Sequence, residues 1–363
     1  MFRRFVLSCA ALIAPLVACD KDPEAPPSEL PLGRVVVLNG QVPAGVTVIA
    51  QDRERGAHLA FDDAFDGASF ALRNDTVASA ASKGAGDLLY VGDLRTGIVQ
   101  KIQMPAASNP AGVQFSAVGA SPRVFVALRD LGEIAEVALP RGTEPIVRYR
   151  NAGVCPVDVA LIAGAIWSVD ANQRCASLYQ TLGPSRLIRV PARNSSDTIS
   201  LGAAAIGAQR AFVRGNVVLV MTSGDYFSTP GALTAVAAGA TQAVPATRAL
   251  PADVYAVSFR VGANSVAYVT GAPAFPAPFV LRVYAINTSM NFTGVRVAGA
   301  SHLRLIKDSG LEASCYVATA DAAGNVYCVE NGDLLSRVLV FNPAGDQIRS
   351  TPAGSPAYDI TLR

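Results

Sequence analysis

The stretch Cys315–Pro343, CYVATADAAGNVYCVENGDLLSRVLVFNP, decides the fold. Six residues, small or β-branched apart from Tyr316 (CYVATA), run into a small-residue turn around Ala322 and Ala323. A second run (NVYCVEN) stops at Gly332-Asp333, and a third (RVLVF) is closed by Asn342-Pro343. Short apolar runs bounded by Gly, Asp and Asn read as buried strands, and connections this brief leave only an antiparallel meander. Proline closes the last run where a ladder hydrogen bond is no longer required.

Working outward, the middle run of this trio recurs along the chain. VVVLNG (Val35–Gly40), LLYVGD (Leu88–Asp93), RVFVALRD (Arg123–Asp130), AIWSVD (Ala165–Asp170), VVLVMTSG (Val217–Gly224) and SVAYVTG (Ser265–Gly271) join NVYCVEN (Asn325–Asn331) to make seven copies. With Val37, Tyr90, Phe125, Trp167, Val220, Tyr268 and Tyr327 as equivalent points, the spacings are 53, 35, 42, 53, 48 and 59 residues. Most copies have a strand before them across a small-residue turn, as in TVASAASKGAGD, PVDVALIAGA and VYAVSFRVGAN. Most have a third strand after them, as in GIVQKIQMP, EIAEVALP and SRLIRVP. Alanine is plentiful but sits among Gly, Pro and β-branched residues, without the 3.6-residue period of an amphipathic helix. Units of 40–50 residues built of several short strands predict an all-β chain folded as a β-propeller. The reading is seven blades of four-stranded antiparallel sheets, with six or eight also compatible with the loose spacing. VVVLNG lacks a leading strand, and the C-terminal SPAYDITLR (Ser355–Arg363) has no partner after it, so the C-terminal strand is expected to complete the first blade and close the ring.

In these copies the chain resembles bacterial propellers with YVTN-type or NHL-like repeats, LLYVGDLRTGIVQKIQMP (Leu88–Pro105) being the closest match. The resemblance covers nearly all of the chain after its first thirty residues. It implies a fold shared by binding proteins, scaffolds and some enzymes, and does not choose among them.

The N-terminus has a different character. Met1–Ala18 has the layout of an export signal: Arg3 and Arg4, then the apolar run Phe5–Ala18 broken by Ser8 and Pro15. That run is too short to cross a bilayer as a helix, which takes about 20 residues. It ends in Leu16-Val17-Ala18-Cys19, which resembles the lipobox of bacterial lipoproteins. The resemblance implies cleavage before Cys19 and a diacylglycerol on its sulfur, so the membrane is a partner through lipid. Asp20–Pro31 holds four prolines and four acidic residues and reads as a spacer that cannot bury enough surface to order itself. The organisation expected is a signal peptide over 1–18, lipidated cysteine and spacer over 19–31, and a single propeller over 32–363. Asp20 also resembles the inner-membrane retention signal of enteric-type lipoproteins, which favours the periplasmic face of the cytoplasmic membrane over the outer membrane.

Charge and cysteine content fit export. The 30 Lys+Arg and 28 Asp+Glu of the full chain become 28 and 28 once Arg3 and Arg4 are removed, and scattered neutral charge is wrong for a nucleic-acid binder. With Cys9 lost and Cys19 lipidated, Cys155, Cys175, Cys315 and Cys328 remain. CPVDVALIAGAIWSVDANQRC turns near Gly164 and the 315–328 segment turns near Ala322, so hairpins bring Cys155 toward Cys175 and Cys315 toward Cys328, predicting two local disulfides. Such bonds require an oxidising compartment.

Chemistry is sparse by comparison. His58 and His302 stand alone, without metal-ligand spacing, and no G-x-S-x-G elbow occurs. No catalytic, metal or cofactor residue is therefore assigned. Asp93, Asp130, Asp170 and Glu330 each follow a central strand, where an acidic side chain serves a turn more often than a shared calcium or catalytic site. GAPAFPAPFV (Gly271–Val280) interleaves Phe275 and Phe279 with prolines and is the candidate loop for a protein partner. The expected role is a lipid-anchored binding or scaffolding module docked on a membrane protein complex. The alternatives are a propeller enzyme of lactonase or sugar-dehydrogenase type, or a small-ligand or peptide binder using the central funnel. Carboxylates or a metal on the axis would mark the enzyme, and a quiet channel with a patch at the rim would mark the scaffold.

Overall fold

The computed structural model describes residues 35–363 apart from 41–43, 51–56, 63–68, 82–86, 117–121, 141, 143, 176–179, 192–196, 227, 238–244, 275–276, 278 and 289–300. Seven four-stranded antiparallel sheets form the blades of a propeller. Blades 2 to 7 are each continuous in sequence, over Phe70–Gln103, Pro110–Tyr149, Pro156–Ser200, Ala208–Ala249, Val254–Leu303 and Cys315–Gly354. Blade 1 is composite: the C-terminal strand Ala357–Leu362 lies innermost and pairs with Val35–Asn39, which is followed by Ala44–Ile49 and Ala57–Asp62. The expected ring closure is thus observed. Asn39 secures it from the side, its Nδ2 donating to the carbonyls of Ala353 (2.7 Å) and Ser355 (2.6 Å) while Thr47 Oγ1 donates to its Oδ1 (2.7 Å).

The blades pack face to face, and the core is divided into seven clusters, one between each pair of neighbours. Val36 and Leu38 belong to the cluster shared with blade 2, whereas Val35 and Val37 belong to the cluster shared with blade 7. A strand covered on both faces has no solvent side, so its sequence is continuously apolar rather than alternating. All seven residues chosen as equivalent points are buried.

Six of those seven sit on the second strand of their blade, but Tyr90 does not. In blade 2 the innermost strand is Phe70–Arg73, the second is Thr76–Ala81, and Leu88–Asp93, which carries Tyr90, is the third. The uneven 53 and 35 spacings come from this slip of one strand. Any two antiparallel strands joined by a short turn share one local pattern, so LLYVGD with GIVQKIQ reads equally as strands two and three or as strands three and four.

Because every blade is an antiparallel meander, its connections sort onto two faces. The second-to-third strand loops and the linkers between blades emerge on one side, here the loop face. The first-to-second and third-to-fourth connections emerge on the other, the turn face. Val35 pairs with Leu362 at the turn-face end of blade 1, so the N-terminal segment joins the disc there. Among the described residues no helix is long and apolar enough to cross a membrane.

Candidate functional site

The axis is where the innermost strands converge, and the strand pairing dictates what they present to it. In six of the seven blades the register between the first and second strands shifts near the loop-face end, at Leu38/Asn39, Pro110/Val113, Pro156/Asp158, Ala208/Arg210, Ala256/Ser258 and Cys315/Val317. A bulge leaves a residue unpaired and re-aims its neighbours. The unpaired residues (Gly112, Val157, Gln209, Val257, Tyr316 and Tyr358 among them) line a cavity of about 100 Å³ on the loop side of the axis. A second cavity, of about 210 Å³, lies on the turn side among Leu72, Phe115, Asp158, Arg210, Phe212 and Arg260. Arg210 borders both.

Between the cavities the axis is closed by charge. Asp359 of blade 1, wholly buried, accepts from Arg260 Nε (2.6 Å) and Nη2 (2.5 Å) of blade 6 and from Arg210 Nη2 of blade 5. Backbone N–H groups of Phe70 (3.2 Å) and Ile360 (2.8 Å) complete its shell. Burial works to raise this carboxyl, but the two guanidinium groups outweigh it and hold Asp359 below the usual carboxylate range. Asp158 of blade 4 also lies on the axis and accepts from the backbone N–H groups of Val159 (2.9 Å) and Ala211 (2.8 Å). Burial pushes its carboxyl up to about 6, against the downward pull of the Arg210 charge and those two N–H groups. Gly112 of blade 3 makes room for it, since a Cβ there would stand 2.1 Å from Asp158 Oδ1. Two carboxylates therefore do occupy the axis, but one is bound by two arginines and the other by backbone. Nothing in the sequence marks this group, because its members lie on four blades and share no motif.

The loop face differs in chemistry from the turn face. Among the described residues twelve large apolar side chains are exposed, and nine of them lie in loop-face connections, Leu182, Tyr226, Phe279, Leu311, Leu334 and Leu335 being the most projecting. The first-to-second strand turns opposite are short and built of Asn74-Asp75, Ala163-Gly164 or Gly215-Asn216. A wide concavity, about 890 Å³, lies between the outer parts of blades 7 and 1, lined by Thr47, His58, Lys307, Glu330, Leu335 and Arg337. Lys307 pairs with Glu330 in its wall.

Phe279 lies on the loop face, 64% exposed, while Phe275 and Cys19 lie outside the described residues. The predicted disulfides are both formed, Cys155–Cys175 with Cα atoms 5.6 Å apart and Cys315–Cys328 at 5.4 Å. Neither pair is directly cross-strand. Cys175 follows the second strand of blade 4, and Cys315 sits beside a bulge in a register that pairs Ala318 with Cys328. The acidic residues after central strands serve separate local roles. Asp93 Oδ1 caps the N–H groups of Arg95 (2.8 Å) and Thr96 (3.1 Å), Asp130 accepts from Asn109, and Glu330 meets Lys307. Asp170, wholly buried, accepts from the N–H groups of Val154 and Cys155 and pairs with Arg186. His58 Nδ1 bonds Thr47 Oγ1 (3.1 Å), and His302 Nε2 lies 2.8 Å from Glu312. Among the described residues no three His, Cys, Asp or Glu side chains come together as metal ligands.

No family model and no curated protein matches the sequence. Solved structures match the fold. A protein from Lactobacillus plantarum superposes with a TM-score of 0.61 at 10% identity, covering 91% of this chain and 99% of that one. A hypothetical selenium-binding protein from Sulfolobus tokodaii gives 0.61 at 11% identity, with 93% and 94% covered. Apo AztD from Citrobacter koseri gives 0.51 at 12%, with 89% and 83% covered. At these identities the likeness is one of fold alone.

Proposed function

We propose that this β-propeller is a protein-binding module, anchored to a membrane through lipid at Cys19, that docks a partner of a membrane complex on its loop face. The observation that carries the reading is the one-sided exposure of apolar side chains. Scattered surface leucines are ordinary, but Leu334 (81% exposed) and Leu335 (68% exposed) at the lip of a wide groove, with Leu311 and Phe279 on the same face, form the kind of apolar surface that a partner covers. The axis favours this over a funnel enzyme, because its carboxylates are already engaged and its two cavities are smaller than the 300 Å³ or more typical of ligand pockets. Localisation at the periplasmic face of the cytoplasmic membrane is part of the proposal and rests on the sequence around Cys19 and Asp20.

The test is affinity isolation from detergent-solubilised membranes with the wild-type chain and a Leu334→Asp/Leu335→Asp variant. A membrane protein should co-purify stoichiometrically with the first and be lost, by tenfold or more, from the second, with thermal unfolding unchanged. Equal recovery on both chains would remove the loop face from the proposal, and no partner on either would remove the scaffold.

A further inference from the structure

The axial charges do not saturate one another. Asp359 draws three N–H groups from two arginines, and Asp158 is held by backbone rather than by either guanidinium. Arg260 Nη2 also reaches the Phe70 carbonyl (3.3 Å). Arg210, by contrast, gives one N–H to Asp359, and its remaining donors have no acceptor among the described residues. The Arg210 and Arg260 side chains stay 12% and 18% exposed, and the turn-side cavity is the space that both of them line. Two guanidinium groups anchored on one carboxylate, with N–H donors left toward a small polar chamber, form a fork suited to a second acceptor with two or more oxygens.

We propose that the turn-side axial cavity binds a small oxyanion, a carboxylate or a phosphate-like group, held by Arg210 and Arg260. At about 210 Å³ the chamber has room for such an ion with a few waters and is too small for a nucleotide or a sugar chain. Gln114 and Thr361 add polar side chains to its wall, and Leu72, Phe115 and Phe212 surround them with apolar surface that strengthens each polar contact. The charged groups that act on Asp158 are Arg210 and Arg260, the same two that clamp Asp359, with Tyr316 bordering the other cavity beside Arg210. Among the described residues lining the cavity, the Asp158 carboxylate is therefore the negative group that faces an incoming anion. Protonation near pH 6 removes that charge and leaves the arginines in excess, so the anion binds more tightly on the acid side.

Calorimetry on the folded protein, at constant ionic strength, tests this with sulfate, whose charge does not change between pH 5.5 and 7.5. Inorganic phosphate and acetate are run at pH 7.5 as separate arms, to tell a phosphate site from a carboxylate site. Saturable one-site binding of sulfate is expected, at least fivefold tighter at pH 5.5. Arg210→Gln should weaken it tenfold or more. Asp158→Asn should bind at pH 7.5 as the wild type binds at 5.5 and should lose the pH dependence. Absence of saturable binding in all three arms, or undiminished binding by Arg210→Gln, would overturn the proposal. Should that variant fail to fold, an Asp158→Asn chain that retains the wild-type pH dependence would overturn it equally.

Discussion

Asp158 is the residue at which burial and function pull in different directions. Its carboxyl titrates near pH 6 in the folded protein and near 3.8 in the unfolded chain, so the folded state holds the proton more tightly between those values. Stability contributed by this group therefore falls as pH rises from about 4 to about 6 and is flat above. Two pKa units correspond to about 3 kcal/mol at most. Asp359 acts the other way, with a carboxyl held below 3.8, so its contribution is present above that pH and is lost only in stronger acid. The two windows do not overlap. Denaturant unfolding of the wild type and Asp158→Asn should thus show the wild type losing up to about 3 kcal/mol relative to the variant between pH 4 and 6.5. A difference that does not vary with pH would place the Asp158 proton elsewhere. Gly112→Ala belongs to the same site. Its Cβ, 2.1 Å from Asp158 Oδ1, forces an axial strand to shift, and a loss of about 1–3 kcal/mol is expected in the same measurement.

At the scale of strands, closure of the ring depends on a few bonds. Asn39 ties the second strand of blade 1 to two carbonyls at the end of blade 7 and accepts from Thr47, all of it buried. Asn39→Ala removes the side-chain donor from the Ala353 carbonyl and leaves that of Ser355 only the Ser336 hydroxyl (2.7 Å), which costs about 1–3 kcal/mol for a buried unsatisfied group, and the midpoint of chemical unfolding should fall accordingly. Replacing Cys315 and Cys328 by serine should cost about 2–4 kcal/mol by freeing a loop in the unfolded chain, read as a drop in melting temperature under non-reducing conditions. Much of this scale was legible from residues alone. Val35–Leu38 is apolar at every position because blades cover both its sides, and SPAYDITLR was left over because it pairs with VVVLN. Phe70–Arg73 was not legible: four residues, of which only Phe70 is fully buried, make too short a run to register, and missing it moved Tyr90 by one strand. The bulges escaped for a different reason. Pro156 to Ile162 reads as seven ordinary strand residues, and only the register with Ala165–Asp170 reveals that Val157 is unpaired and Asp158 turned to the axis. Arg210, Arg260 and Asp359 likewise meet only when the ring closes.

On the scale of the whole disc, the proposed tether and the proposed partner surface fall on different faces. Val35 joins blade 1 at the turn face, whereas Leu334, Leu335 and the groove between blades 7 and 1 belong to the loop face. In the proposed arrangement the sequence from Cys19 to Val35, about 55 Å at full extension, is long enough for the disc to stand off the bilayer with its apolar loops toward the proposed partner. One acyl chain binds a membrane only marginally, but the proposed diacylglycerol carries two, so in this arrangement the lipid alone retains the protein at the membrane and the partner is not needed for retention. This arrangement makes membrane retention and partner binding separable. In cell fractionation a Cys19→Ser chain should pass largely from the membrane to the soluble fraction. The same chain, once purified, should still capture the partner from solubilised membranes as the lipidated protein does. The Leu334→Asp/Leu335→Asp chain should show the converse, remaining membrane-bound through its lipid while losing the partner. Loss of partner capture by Cys19→Ser would mean that the lipidated end belongs to the binding surface, and a division of labour between the two faces would no longer hold.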